Sequence, residues 1–187
     1  VKNTDIEIRA ANLTSQDKKL VGYVVKWNSR SQVLWDEFVE QFSPNAFHNS
    51  LVGGADVRAL YEHDYTALLG RTTSGTLTLA EDATGLRFEL TPPDTQLGRD
   101  VLTLVERGDI TGMSFGFCAL KDQWDSTQTP YVRTVIEAEL REITVTSIPA
   151  YPESGVEVAK RSLFIQHPEL SGQNNEMRRR WLQLAEV

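Results

Sequence analysis

The sequence predicts an α+β fold, mostly an antiparallel β-barrel-like domain with a few surrounding helices. Three observations lead there. Short runs with alternating apolar residues, many of them β-branched or aromatic, recur between residues 6 and 148. One clear helical stripe interrupts them at residues 95–107. The 187 residues suit one domain with its own core, since domains commonly run to about 100–200 residues.

The opening reads as strands. Ile6 and Ile8 alternate with acidic residues, and Leu20-Val21-Gly22-Tyr23-Val24-Val25 is rich in β-branched residues. Residues 34–42 carry Trp35, Phe38, Val39 and Phe42 at helical spacing, which predicts a short helix. Ser43-Pro44 then reads as the cap and first position of a second short helix holding Ala46 and Phe47. Residues 57–61 predict a strand that ends at Glu62-His63-Asp64, and Gly70-Arg71 and Ser74-Gly75 punctuate the region after it. Residues 76–79 and 86–90 alternate around a turn at 82–85, the pattern of a β-hairpin. In the main helix Asp94 is placed to cap, Leu97, Val101, Leu104 and Val105 form the apolar face, and Gly108 ends it. Strands are expected next at 112–120, 131–138 and 140–148, and Pro149-Ala150-Tyr151-Pro152 stops the last. A main domain over residues 1–156 thus precedes a tail over 157–187. That tail is polar at 166–175, with a basic helix expected at 176–184 around Arg178, Arg179, Arg180 and Trp181.

Composition narrows the function classes. The formal charge of −7 argues against a nucleic-acid surface. A single cysteine, Cys118, excludes an intrachain disulfide and suits a reducing cytoplasm. No apolar run approaches the ~20 residues that cross a bilayer, and no signal-peptide pattern opens the chain. The first residue is Val1 rather than Met, which reads as trimming or processing. One cysteine and three scattered histidines give no metal-ligand spacing. No glycine-rich loop with a following lysine is present, so no metal or organic cofactor is predicted.

Nucleophilic chemistry has better candidates. Ser114 lies in Gly112-Met113-Ser114-Phe115-Gly116-Phe117. Strand alternation sends Met113, Phe115 and Phe117 to one face and Ser114 to the other, between two glycines. That arrangement is expected to leave the hydroxyl uncovered, with room for a peptide backbone. The alternative is a glycine-serine strand packed closely against another segment. His63, at the end of an apolar strand, is placed to be a general base, although a lone histidine also serves as a hydrogen-bonded structural residue. His48, on an expected surface helix, and His167, in the tail, are poorer candidates. A third residue would fix the imidazole tautomer, and Glu142, Glu139, Glu137 and Asp109 are the candidates. Glu142 shares parity with Leu140, Thr144, Thr146 and Ile148, where a carboxylate needs a partner; a salt bridge to Arg71 or Arg133 is the structural alternative. Asp64, next to His63, is awkwardly placed to orient it. Cys118 reads as a small buried residue. Gly112-Met113-Ser114-Phe115-Gly116 fits the Gly-x-Ser-x-Gly elbow of α/β-hydrolases by letter. The strand continuing through Phe117-Cys118-Ala119-Leu120 does not fit it, because that elbow leads into a helix.

Four blocks resemble the tailed-phage prohead maturation proteases, distant relatives of the herpesvirus capsid assembly protease. Ser43-Pro44-Asn45-Ala46-Phe47 is similar to the family's Pro-Gly-Ala-Phe block, with Asn45 in the glycine's place. Ala59-Leu60-Tyr61-Glu62-His63-Asp64 with Leu69-Gly70-Arg71-Thr72 resembles its histidine block, and Gly108-Asp109-Ile110-Thr111-Gly112-Met113-Ser114-Phe115-Gly116-Phe117 its serine block. Leu140-Arg141-Glu142-Ile143-Thr144-Val145-Thr146-Ser147-Ile148-Pro149-Ala150-Tyr151 resembles the closing block, so the likeness runs from Ile8 to Arg161. It implies a herpesvirus-protease-like fold, residues 1–156 as the protease domain, His63 and Ser114 as the catalytic pair, and Glu142 as third member. The herpesvirus relatives use a second histidine in that third place, and this chain has none in a matching position. The implied activity is serine endopeptidase cleavage of phage scaffold or the scaffold-like arm of the major capsid protein, and of the enzyme itself. Its place is the assembling prohead in the host cytoplasm. The implied partners are the major capsid protein and its scaffold region, with self-association open and neither nucleic acid nor membrane involved. The tail is then a self-cleaved or scaffold-contacting extension, or a plain terminus. The rivals are a non-enzymic scaffold or capsid-assembly protein on the same fold, and an esterase or amidase for small substrates.

Overall fold

In the computed structural model of the protein, residues 6–16, 18–34, 37–147 and 166 are described. The strands are β1 (Glu7–Gln16), β2 (Lys19–Lys26), β3 (Phe38–Phe42), β4 (Arg58–Tyr61), β5 (Asp64–Arg71), β6 (Leu77–Glu81), β7 (Gly85–Leu90), β8 (Gly112–Asp125) and β9 (Tyr131–Thr146). The helices among the described residues are α1 (His48–Val52) and α2 (Gln96–Glu106). The nine strands of the described residues join one curled sheet in the order β5-β4-β9-β8-β1-β2-β7-β6, with β3 also paired to β9. The pairs β3–β9 and β4–β9 are parallel and the others antiparallel. The molecule is therefore mostly β, a half-barrel with few helices.

The hairpin expected around residues 82–85 is β6–β7, and Asp82 Oδ1 accepts from the N–H groups of Thr84 and Gly85 at 2.7 and 3.0 Å. Helix α2 falls where its stripe places it: Val101 and Val105 are buried, with Leu97 and Leu104 packed against the core. Its cap is Thr95, not Asp94: the Thr95 side chain accepts from Gly98 N at 3.3 Å. Gly108, at φ +80°, ends it. Asn45 has φ +64°, which explains how asparagine stands where the resembling block has glycine, because asparagine tolerates the left-handed region.

Several expectations are corrected. The helix at 34–42 is instead an isolated bridge at Leu34 and strand β3; Trp35 lies outside the described residues. Phe38 and Phe42, four apart, satisfy a strand period of two as well as a helical one. The intervening inward residue is Glu40, only 2% exposed, and its charge hides the alternation. The helix expected to start at Ser43-Pro44 starts at His48, after a turn at 44–47. The strands expected at 131–138 and 140–148 are one strand, β9, whose pairing with β8 shifts register where Glu142 faces Gly116 and Leu140 faces Phe117. Arg141 is thus the extra residue of a bulge, which reverses the parity of Glu142 relative to Leu140. Strand β5 has no sequence counterpart among the expectations. The stop at Pro149-Pro152, the boundary at 156 and the helix at 176–184 lie outside the described residues.

Beneath the concave face, Phe42, Phe47, Phe115 and Phe117 pack ring on ring at centroid distances of 5.1–5.9 Å. The same face also holds a buried ionic network. Arg133, fully buried, reaches Glu7 Oε1 at 3.0 Å, Glu40 Oε2 at 2.8 Å and Asp122 Oδ2 at 2.7 Å. Arg9 bonds Glu40 Oε1 at 2.7 Å and Glu7 Oε2 at 3.1 Å, and lies 5.4 Å from the Phe117 ring centroid. This network inverts the usual pattern in β1: Glu7 and Arg9 point inward, whereas Ile6, just before the strand, is 39% exposed.

Candidate active site

The site is built on the neighbouring strands β4, β9 and β8. Ser114 pairs with Thr144 across β8–β9, and Leu60 pairs with the same Thr144 across β4–β9. On β8, Met113, Phe115 and Phe117 enter the core, as alternation requires, so Ser114 and Gly116 occupy the opposite face. On β9, Ile143 and Val145 are core residues, which places Glu142 and Thr144 on that same outer face. Ser114 is nevertheless fully buried. The expectation of an uncovered hydroxyl is therefore corrected: Ser114 lies mid-sheet, with Ala10 and Thr144 as cross-strand neighbours, and its flanking glycines do not open it to solvent.

His63 arrives from β4 by a tight turn. Tyr61 pairs with Asp64, so Glu62 and His63 are the two loop residues of the β4–β5 hairpin, at φ +50° and +57°. Two left-handed residues define a type I′ turn, a conformation that asparagine and glycine fill most easily. For other residues it costs roughly 1–2 kcal/mol each. Three bonds offset that cost by fastening Glu62 to the end of β9. Glu62 N donates to Val145 O at 3.0 Å, and its carboxylate accepts from Thr146 Oγ1 at 2.7 Å and Ser147 N at 2.8 Å. Burial works to raise the Glu62 carboxyl, but the bonds from Ser147 and Thr146 hold it below its ordinary value.

From this turn His63 Nδ1 faces Glu142 Oε1 at 3.2 Å, with the histidine side chain 30% and the glutamate 4% exposed. The other carboxylate oxygen, Oε2, accepts from Thr144 Oγ1. An ionised carboxylate only accepts, so a neutral imidazole bonded to it donates through Nδ1–H and carries its lone pair on Nε2. Nε2 is buried and has no hydrogen-bond partner, so His63 and Ser114 are not bonded to one another in this conformation. Among the described residues, the other buried side-chain nitrogen without a partner is Nε of Arg141, next to Glu142 in β9.

The alternatives for Glu142 are occupied elsewhere. Arg71 bonds Asp56 Oδ1 at 2.6 Å, and Arg133 belongs to the Glu7–Glu40 network. Of the other carboxylates considered, Glu139 pairs with Arg141 at 3.0 Å, Asp109 with Arg107 at 3.0 Å, and Glu137 accepts from Asn49 at 2.8 Å. Asp64 accepts from Thr66 at 2.7 Å. Cys118 is fully buried and its thiol is pushed up by that burial, against the pull of Arg141, which opposes a thiolate. His48 lies on α1, its Nδ1 3.6 Å from Glu81; His167 lies outside the described residues. Thr144 and Glu62 were not singled out by sequence reasoning. Thr144 could have been reached from its parity with Glu142. Glu62 depends on a turn conformation that its residue type disfavours.

The mostly β half-barrel thus carries a histidine–carboxylate pair whose glutamate lies on the strand next to the one that bears Ser114. The chain belongs to the caudovirus prohead serine protease family, whose model matches residues 4–167. It is similar to the prohead protease of Enterobacteria phage HK97, 34% identical over 121 residues, which are 63% of this chain and 51% of that protein. The chain spans about half the length of that curated relative. No solved structure matches it.

Proposed function

We propose that the chain is a serine endopeptidase of prohead maturation, with Ser114 as nucleophile, His63 as general base and Glu142 as the residue that orients and stabilises His63. One observation carries the proposal: the His63 ring spends Nδ1 on the Glu142 carboxylate and keeps Nε2 bare, beside the strand pair that holds Ser114. In the reaction Ser114 Oγ attacks the scissile carbonyl as His63 Nε2 takes its proton. The tetrahedral intermediate collapses as the imidazolium gives that proton to the leaving amine. Water, deprotonated by the same nitrogen, then attacks the acyl ester; the bond to Ser114 Oγ breaks as the imidazolium returns the proton to that oxygen, and the acid product leaves. Glu142 stabilises the imidazolium in both steps. Ser114 is enclosed in the conformation described, so acylation requires its face of β8 to open to the peptide.

The family supports substrates from capsid assembly: the scaffold, or the scaffold-like arm of the major capsid protein, and the chain itself, inside the prohead in the host cytoplasm. Residues 1–156 form the protease domain and 157–187 an extension that contacts scaffold or is cut. The order His63, Ser114, Glu142 suits the prohead protease family, and the herpesvirus-protease-like arrangement is part of the same proposal. A fluorophosphonate probe tests the chemistry. It should label Ser114 in the wild type and fail with Ser114→Ala or His63→Ala. Co-expressed with its capsid protein, Ser114→Ala should leave that protein unprocessed. Processing that persists would overturn the role of Ser114, and a wild type that is not labelled would favour a non-enzymic assembly role.

A further inference from the structure

Gly116 faces Glu142 directly in the β8–β9 pair, two residues from Ser114 and on the same outer face. The space beside it is filled. A Cβ added there would stand 3.0 Å from Glu142 Oε1, 3.2 Å from Glu142 Cγ and 3.0 Å from Ile6 Cγ2. Ordinary contacts between carbons lie at about 3.5–4.0 Å. Gly116 is not among the glycines with positive φ, so its backbone does not call for glycine; the contact with Glu142 does.

From this contact we infer that Gly116 is a positioning residue of the proposed triad, acting through Glu142. Its missing side chain lets the Glu142 side chain lie across β8 and present Oε1 to His63. The oxygen a methyl group would meet is the same Oε1 that faces His63 Nδ1. Ile6, 39% exposed, can turn aside. Glu142 has less freedom, being 3% exposed with Oε2 held by Thr144 Oγ1. The Nδ1–Oε1 separation of 3.2 Å is already at the long end of the range for such bonds. A displacement of a few tenths of an ångström therefore breaks it. The inference rests on the roles proposed above for His63 and Glu142.

A double-mutant cycle tests it, read by the rate of fluorophosphonate labelling at Ser114 with thermal melting alongside. Gly116→Ala should slow labelling by about tenfold to a hundredfold and remove the hydrogen-bonded His63 Nδ1–H resonance from the proton NMR spectrum. In Glu142→Ala, which vacates the space, adding Gly116→Ala should cause no further loss. Unchanged labelling in Gly116→Ala, or losses that multiply in the double variant, would overturn the inference while leaving the triad intact. Unchanged labelling in Glu142→Ala would instead sink the role of Glu142 itself. Should Gly116→Ala alone not fold, a folded double variant that labels at the Glu142→Ala rate supports the inference, and an unfolded one overturns it.

Discussion

At the scale of single residues, the geometry turns on which proton sits on which nitrogen. Glu142 can accept from Nδ1–H and cannot donate while ionised, so it fixes the tautomer that leaves Nε2 basic. Glu142→Gln replaces that acceptor with a side chain that can donate its amide protons to Nδ1. The proton then moves to Nε2 and, in the proposed mechanism, the ring cannot receive the Ser114 proton. Labelling of Ser114 should fall by about 10²–10⁴-fold, by analogy with the neutralised carboxylate of well-studied triads. The fold should survive, because the volume is kept and Thr144 Oγ1 retains an acceptor. A labelling rate within a factor of about three of wild type would remove Glu142 from the mechanism. Ser114 and His63 stand out in the sequence as distinctive residues in an apolar strand or at its end, whereas Glu142 is one of four candidate carboxylates and only the family resemblance joins the three. The burial of Ser114 could not be read there, since it depends on what other strands bring to its face. Nor could the use of the space at Gly116: alternation gives the face of a residue but not which neighbour's side chain crosses it.

At the scale of elements, the β4–β5 turn converts strand pairing into the approach of His63 to Glu142. The hairpin's end could be read from the sequence at Glu62-His63-Asp64, but its type I′ conformation could not, because neither loop residue is one that the left-handed region favours. Tertiary bonds override local preference there, and the Glu62 carboxylate supplies two of them. Its folded pKa lies below the ordinary 4.5. Its stabilising contribution is therefore complete above about pH 4.5 and is lost as pH falls through the folded value. Glu62→Gln keeps an acceptor for Thr146 and Ser147 but does not titrate. Below pH 4.5 the melting temperature of the wild type should fall more steeply than that of Glu62→Gln. Parallel curves would show that this carboxylate does not fasten the turn. Strand β3 carries a similar lesson. Its alternation is concealed by Glu40, an inward charge that only makes sense beside Arg9 and Arg133, which lie far from it in sequence.

At the scale of the whole molecule, the sheet separates two jobs by its two faces. The outer face of β8 and β9 carries Ser114, Gly116, Glu142 and Thr144, while the inner face carries the aromatic cluster and the Arg133 network. The mostly β architecture was legible because hairpins, alternation and one capped helix are local patterns. The ionic network was not, because its members lie on β1, β3, β8 and β9 and read singly as surface charges. Burial would disfavour the Arg133 charge, but Glu40 and Glu7 more than compensate and raise its pKa; Glu7 in turn is pushed up by burial against the pull of Arg133. Arg133→Met removes the shared cation and leaves Glu7, Glu40 and Asp122 with Arg9 as their nearest compensation. Breaking a buried pair from one side costs about 3–5 kcal/mol, which should appear as a lower urea midpoint with an unchanged slope. The deficit should shrink as pH falls, because buried carboxylates that have lost their cation take up protons and no longer repel one another. Labelling of Ser114 per folded molecule should stay at the wild-type rate, since the hydrogen bonds that Arg9 and Arg133 make within the network, among the described residues, do not reach His63 or Glu142. If labelling fell in step with stability, the two faces would be one cooperative unit and the inner network would belong to the active site's support.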